Sequence, residues 1–235
     1  MANAASRDRA APQPGDSYVQ SFARGLEVIR SFNAQTPAQT LSEVAAHSGL
    51  TRAGARRILL TLQTLGYVDT DGRLYRLTPR ILDLGFAYLS SMPIWNLAEP
   101  VMEKLVAEVR ESCSVAVLDG TDIVYVLRVP AQKIMSINLG VGSRLPAVFT
   151  ASGRAMLSKL TLEQQRAVIS ATPLSPVTFM TETDPQALLQ QIAEVGRRGY
   201  AIVQNQTVVG DISVAAAITN HRGQPVGAIN VSVPR

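Results

Sequence analysis

In residues 41 to 78, LSEVAAHSGLTRAGARRILLTLQTLGYVDTDGRLYRLT, the apolar period changes from that of a helix to that of a strand, and a glycine-centred break interrupts the helical part. No other stretch limits the fold so tightly. Ser42 is placed to cap a first short helix, with Leu41, Val44 and Ala45 as its apolar face. At Ser48-Gly49-Leu50 the pattern stops, and Gly49 supplies the positive φ that a sharp turn between helices needs. Thr51 then caps a second helix whose Ala55, Ile58, Leu59, Leu62 and Leu65 recur at inward-facing positions. That spacing turns Arg52, Arg56 and Arg57 outward, near the N-terminal end, where Ala53 and Gly54 keep the helix slim. After Gly66 the period falls to two, with Asp71-Gly72 as the turn of a hairpin between Tyr67 to Asp69 and Arg73 to Leu77. Two helices, a tight turn and a hairpin make a winged helix-turn-helix, whose second helix is built to enter a DNA major groove.

Charge supports that reading. Residues 51 to 80 carry six arginines (Arg52, Arg56, Arg57, Arg73, Arg76 and Arg80) against two acids, Asp69 and Asp71, whereas residues 91 to 235 hold 12 basic and 11 acidic residues. The surplus lies on the reading element, where release of counterions from phosphates would use it. In the wing, alternation sends Arg73 and Tyr75 to one face and Arg76 to the other, so one of the two arginines is expected to face a groove. The candidate DNA contacts are Ser42, Thr51, Arg52, Ala53, Arg56, Arg57, Arg73 and Arg76.

At 235 residues and 46% hydrophobic content the chain has room for two globular domains. No apolar run approaches the roughly 18 to 20 residues that span a bilayer, and the N-terminus lacks the apolar core of a signal peptide, so a cytoplasmic location without membrane partners is expected. One cysteine, Cys113, forbids an internal disulfide, and with only His47 and His221 there is no soft ligand set for zinc. No metal or cofactor is expected. A Gly-x-Ser-x-Gly elbow, a phosphate-binding loop ending in Lys-Ser or Lys-Thr, and paired histidines are all absent, which argues against the rival class, an enzyme acting on a small acid. A DNA binder without a ligand is the third class.

Residues 1 to 17 are rich in Ala, Pro and charge and read as a disordered arm. Residues 18 to 78 form the DNA-binding domain, opening with a support helix from Tyr18 to Phe32 that buries Val19, Phe22, Leu26, Ile29 and Phe32, followed by a loop from Thr36 to Thr40. Thr78-Pro79 caps a helix over residues 79 to 92, with Ile81, Leu84, Gly85 and Tyr88 as a stripe suited to linking and dimer contact. The second domain spans 93 to 235. Asn96 caps its first helix, Pro100 sits near that helix's first turn, and Val101, Leu105 and Val109 continue it. Strands are expected at Ser114 to Leu118, Ile123 to Val129 and Ile134 to Leu139, helices from Thr150, Thr161 and Pro185, and closing strands from Tyr200, Ile212 and Gln224. The class is α+β, with a largely antiparallel sheet in the second domain.

These residues resemble the IclR family of bacterial transcription regulators, and within it the regulators of protocatechuate, 4-hydroxybenzoate and β-ketoadipate catabolism. The resemblance runs from Tyr18 to the last residue, and is carried by YVQSFARGLEVIRSF (18 to 32), ARRILLTLQTLGYV (55 to 68), GRLYRLTPRILDLGFAYLSS (72 to 91), SVAVLDGTDIVYVLRVP (114 to 130) and GSRLPAVFTASGRAML (142 to 157). It implies a C-terminal effector-binding domain of GAF-like fold and dimers that pair into tetramers on an operator, with RNA polymerase as a further partner of an activator. It also implies that the effector is a small acid, aromatic or dicarboxylic, held by Leu145, Ala151, Ser152, Asp211, Ser213, Asn230 and Ser232. The chain departs from the family at Gln204-Asn205-Gln206 and Val209-Gly210-Asp211, where acids and a Leu-Gly-Leu-Arg-like run are usual, and at its end, where a last helix is usual.

The residues themselves add to that set. Thr150-Ala151-Ser152-Gly153 opens a helix whose free N–H groups suit a carboxylate. Arg128 and Arg144 are candidates to neutralise a second one, and Phe149, Met135 and Tyr125 to wall an aromatic ring. Asp211 would repel a diacid unless it accepts a hydrogen bond, which points to a hydroxylated or amine-bearing effector.

Overall fold

The computed structural model describes residue 15 and residues 18–91, 94–131 and 139–234. The chain divides into two compact units, one ending at Ser90 and the other beginning at Ser91. The arm expected over residues 1 to 17 lies, but for residue 15, outside the described residues, as do Met135 and most of the strand expected from Ile134.

The first unit runs α1 (Gln20–Arg30), β1 (Ala38–Thr40), α2 (Leu41–His47), α3 (Arg52–Thr64), β2 (Val68–Thr70), β3 (Leu74–Leu77), a 3-10 turn (Pro79–Ile81) and α4 (Leu82–Ser90). Its core joins Val28 and Phe32 to Val44, Ala45, Ala55, Leu59, Leu62 and Val68, with Ile29, Ile58 and Tyr75 packed at the edge. The support helix buries less than its periodicity implies, because Val19 and Phe22 are 62% and 68% exposed and Leu26 is also exposed. Its core face is Val28, Ile29 and Phe32. Leu65, expected to face inward, is exposed, because α3 has reached its C-cap there and the chain turns at Gly66 (φ 80°).

Three local assignments change. Thr40, not Ser42, caps α2: its hydroxyl accepts from Glu43 N while the Glu43 carboxylate accepts from Thr40 N at 2.7 Å, a reciprocal capping box. The expected loop from Thr36 holds β1, which pairs with β3 in a three-stranded sheet of order β1-β3-β2. Thr78 does not cap the turn after it with its side chain; its hydroxyl donates to Gly66 O at 2.5 Å and ties the wing to the end of α3.

The second unit runs α5 (Ile94–Val109), β4 (Ser112–Asp119), β5 (Asp122–Val129), β6 (Arg144–Pro146), a 3-10 turn (Ala147–Phe149), α6 (Ala151–Leu157), α7 (Leu162–Ala171), α8 (Pro185–Arg198), β7 (Ala201–Gln204), β8 (Asp211–Thr219) and β9 (Pro225–Pro234). Its six strands form one antiparallel sheet of order β6-β5-β4-β9-β8-β7. Helices cover both faces. A Cβ on Gly227 would stand 3.3 Å from the Trp95 ring of α5, while the neighbouring Ala228 is buried with Ala151, Ala155 and Met156 of α6. Since successive strand residues face opposite ways, α5 and α6 lie on opposite sides of the sheet. The α5 helix begins before Asn96, so Asn96 is not its cap and Pro100 lies inside it. Pro100, Val101 and Val109 face solvent, and Trp95 and Met102 supply the buried stripe instead.

Among the described residues no helix is long and apolar enough to cross a membrane.

The packing of α6 against the turn before it leaves no room for a side chain at Gly153, where a Cβ would fall 2.0 Å from Ala147 O. Backbone cannot yield as a flexible side chain does, so Gly153→Ala is expected to lose about 3 kcal/mol or more in urea unfolding. A loss below about 0.5 kcal/mol would show that the turn moves freely.

Candidate functional site

On the first unit the hydroxyl of Thr51 accepts from Gly54 N at 3.1 Å and so fixes the start of α3. Gly54 is small for a reason: a Cβ there would come within 3.2 Å of that hydroxyl. Arg52, Ala53, Arg56 and Arg57 are all exposed, as is Ser42 on α2. The first turn of α3 contains no acid. Arg52, a cation in the first turn, opposes the macrodipole, and among the described residues neither it nor Arg56 nor Arg57 has an ion-pair partner. A local rule is broken there with no gain inside the fold, as expected of a surface kept for an anionic partner.

The wing differs from its alternation pattern. Tyr75 and Leu77 pack against the core, and Arg76 takes the outer face, where it pairs with Asp71 at 3.1 Å. Arg73 precedes β3 and stands exposed in the turn rather than sharing a strand face with Tyr75. Asp71 accepts from the N–H groups of Leu74 and Arg73 at 2.8 and 3.0 Å, and these bonds, with Arg76, pull its carboxyl down to about 2.

In the second unit a cavity of about 130 Å³ opens between α6 and the sheet. A dry cavity of about 150 Å³ holds one benzene ring, so this volume fits a single-ring or short-chain molecule. Of the residues singled out by sequence, Arg128, Leu145, Phe149, Ala151, Ser152, Asp211, Ser213, Asn230 and Ser232 line it, with Tyr125. Arg144 does not. It is held at the sheet edge by Asp119 at 2.8 Å and Asp122 at 3.2 Å, the two acids flanking the β4–β5 turn.

Sheet register explains the convergence. Ser213 pairs with Ser232 and Ser232 with Ser112; Asn230 pairs with Ser114 and Ser114 with Arg128. These two rows give the sheet a polar floor beneath α6. Simple alternation would send Tyr125 and Arg128 to opposite faces, but a bulge at Val115/Ala116 resets the register so that both line the cavity. Glu111, Ser112, Ser114, Val177, Thr207 and Val208 also line it and were not singled out by sequence. The Ser112-x-Ser114 alternation was a usable signal; the loop residues had none.

The hydrogen bonds in the cavity have an order. Asn230 Nδ2 donates to Ser232 Oγ at 3.1 Å, the hydroxyls of Ser232 and Ser213 are hydrogen-bonded at 2.6 Å, and Ser213 Oγ donates to Asp211 Oδ2 at 3.1 Å. Each hydroxyl has one proton, so the chain runs from Asn230 to Asp211. Among the described residues it leaves Asp211 Oδ1, Asn230 Oδ1 and Ser152 Oγ buried with no partner. At the start of α6, Thr150 Oγ1 takes Gly153 N at 3.0 Å, which leaves the Ala151 and Ser152 amides as the first-turn donors at the cavity wall. Burial pushes the Asp211 carboxyl up, against the opposing Ser213 bond. Burial, aided by Asp211 and opposed by Arg128, pushes the Tyr125 phenol up to about 12, so it enters the cavity as a neutral hydroxyl.

A winged helix-turn-helix with an unpaired cationic reading helix defines a DNA-binding transcriptional regulator. Residues 21–72 match the IclR helix-turn-helix domain and residues 86–235 match the C-terminal domain of bacterial transcriptional regulators of the IclR type. The chain therefore belongs to the IclR family, whose members are regulators and not enzymes. It is 36% identical over 216 residues to the Pca regulon regulatory protein of Pseudomonas putida, covering 92% of this chain and 74% of that one. It is 31% identical over 220 residues to the p-hydroxybenzoate hydroxylase transcriptional activator of Acinetobacter baylyi, covering 92% and 81%. Among solved structures, a transcriptional regulator from Rhodococcus sp. RHA1 superposes with a TM-score of 0.83 at 44% identity, covering 92% of this chain and 87% of that one. An IclR homologue from Microbacterium hydrocarbonoxydans complexed with 4-hydroxybenzoate superposes with a TM-score of 0.81 at 26% identity, covering 91% and 89%.

The depressed Asp71 carboxyl sets the pH response of the wing. A folded value of about 2 against 3.8 for the free group means that its stabilisation is fully present above about pH 4 and lost as pH falls through about 2. A carboxyl-carbon NMR titration should place Asp71 near the lower value, and Asp71→Asn should speed amide exchange at Arg73 and Leu74. Titration at the free value would show that the turn bonds do not persist in solution.

Proposed function

We propose that this chain binds a roughly palindromic operator as a symmetric dimer, and that a small organic acid in the cavity between α6 and the sheet shifts its operator binding or promoter output. The genes it controls are those of aromatic-compound catabolism. The observation that carries the effector reading is the set of buried polar atoms without partners, Ser152 Oγ, Asn230 Oδ1 and Asp211 Oδ1, that line one ligand-sized cavity. An empty site would leave these atoms uncompensated; the carboxylate of a hydroxylated acid accepts from Ser152, and its hydroxyl donates to Asp211 or Asn230. A ring fits against Phe149 and Leu145, a carboxylate suits the α6 amides, and a hydroxyl or amine donates to Asp211. The P. putida Pca regulon regulator, the A. baylyi p-hydroxybenzoate hydroxylase activator and the 4-hydroxybenzoate complex of the Microbacterium homologue support this effector class.

On the DNA side, Arg52, Arg56 and Arg57 reach bases or phosphates from the start of α3, with Ser42, Thr51, Ala53 and the wing arginines around them. Dimer formation uses the apolar surface left on the first unit. Among the described residues α4 buries nothing, with Leu82 and Phe86 70% and 67% exposed, and Phe22 of α1 is equally bare. Dimers pair into tetramers on DNA, and contact with RNA polymerase belongs to an activating role.

A gel mobility shift on the DNA upstream of the protein's own gene, at fixed salt, with 4-hydroxybenzoate, protocatechuate or β-ketoadipate, tests both halves. A sequence-specific shift altered by one of these acids is expected. A shift indifferent to all three would overturn this effector class, and the absence of a specific shift at low salt would overturn the operator reading. Arg56→Ala should cost about 1–3 kcal/mol at one base position, as a bidentate guanine contact does. A uniform loss across all sequences would make Arg56 a phosphate contact instead.

A further inference from the structure

The charges that line the cavity do not favour an acid. They are Arg128, Glu111 and Asp211, with the phenol of Tyr125 neutral, so the lining is formally negative when Asp211 is ionised and merely balanced when it is protonated. The lining thus offers an anionic ligand Arg128 and the α6 amides but no net positive charge, and a cation just outside it would add to the attraction.

One lies directly behind the wall. Arg154 is on α6, three residues past Ala151 and so about 4.5 Å along the helix axis from the cavity-lining first turn. It is 5% exposed. Its Nε donates to Val148 O at 2.6 Å, beside the lining residue Phe149; its Nη1 donates to Gln191 Oε1 at 2.6 Å; and its Nη2 reaches Gln206 Oε1 at 3.3 Å, beside the lining residue Thr207. All three acceptors are neutral, and among the described residues no carboxylate forms an ion pair with it. Glu182 is the acid that acts on it, through space only. A cation taken out of water whose hydrogen-bond acceptors are all neutral keeps a field that Glu182 opposes from a distance but that no carboxylate among the described residues cancels by direct contact, and in a low-dielectric interior that field reaches the next cavity.

We propose that Arg154 is a specificity-determining residue that selects anionic over neutral effectors: it touches no ligand, but supplies through the wall of the cavity the net positive charge that the lining lacks. Burial lowers its guanidinium to about 10, which leaves it charged at neutral pH. Gln206 is the lever that tests this, because its side chain meets the guanidinium without lining the cavity. Gln206 also holds Met180 O through Nε2 and accepts from Glu182 N, so it fixes the neighbouring loop as well as contacting Arg154.

The inference rests on the acid-effector reading above. Isothermal titration of the full chain with 4-hydroxybenzoate and with its uncharged amide, 4-hydroxybenzamide, separates the two. The wild type should prefer the acid. Gln206→Glu places a carboxylate against the guanidinium, cancels its field, and should weaken the acid about ten-fold while leaving the amide within about two-fold. Gln206→Ala loosens the loop without adding charge and should change both ligands by the same factor. A wild type without preference for the acid, or a Gln206→Glu chain that loses both ligands equally or neither, overturns the role of Arg154 and leaves the acid-effector reading standing. A wild type that binds neither ligand overturns both.

Discussion

The contact of the Gly153 backbone with the Ala147 carbonyl sets where the start of α6 stands over the sheet, and the cavity exists because of where that start stands. With a side chain at residue 153 the helix and the preceding turn would part, and the Ala151 and Ser152 amides would no longer face the serine and asparagine rows of β8, β9 and β4. Arg154 draws on the same contact, since it is the next residue and reaches back to Val148 O in that turn. One steric fact thus positions the donors of the helix, the buried cation behind them and the polar floor opposite.

The sheet contributes a different kind of constraint. Small apolar residues on its inner face, Ala215, Ala217 and Ala228, let α6 pack closely, and where they give way to Ser213, Asp211, Asn230 and Ser232 the packing opens into a cavity. Those polar side chains tie one another into a directed chain that ends on Asp211. A buried network of this kind is stable only when its last members find partners, and here the last members point into the cavity. On the other unit the logic is reversed. Among the described residues the arginines of α3 have no ion-pair partner, while Arg30 and Arg76 of the same unit are paired with Glu27 and Asp71.

Much of this was legible in the sequence because it follows local periodicity. The turn at Gly49, the Thr51 cap, the arginine face of α3 and the wing hairpin are all near-neighbour patterns, and ten residues that line the cavity could be named in advance with the help of the family resemblance. What escaped depended on pairing between distant segments. The β1 strand forms only because β3 offers it an edge, and its three residues carry no strand signal of their own. Arg144 looked like a loop cation near the ligand, but the register of β6 on β5 sets it between Asp119 and Asp122. The helix α5 begins earlier than its cap pattern implies and tolerates Pro100 on its exposed side, so its buried stripe shifted to Trp95 and Met102. Amphipathic spacing in α1 and α4 was read correctly as helix, but it could not say which side faces the core.

Where ligand and operator bind one chain and act on each other, the linkage is reciprocal: a ligand that changes operator affinity by some factor must have its own affinity changed by the operator by that same factor. The direct measurement is a pair of titrations at one salt concentration, operator affinity with and without saturating effector acid, and effector affinity with and without saturating operator. Equal factors, on the order of 5- to 150-fold, are the predicted result. An effector affinity that is identical on free and operator-bound protein would contradict it, and would mean that the cavity and the reading helix act independently.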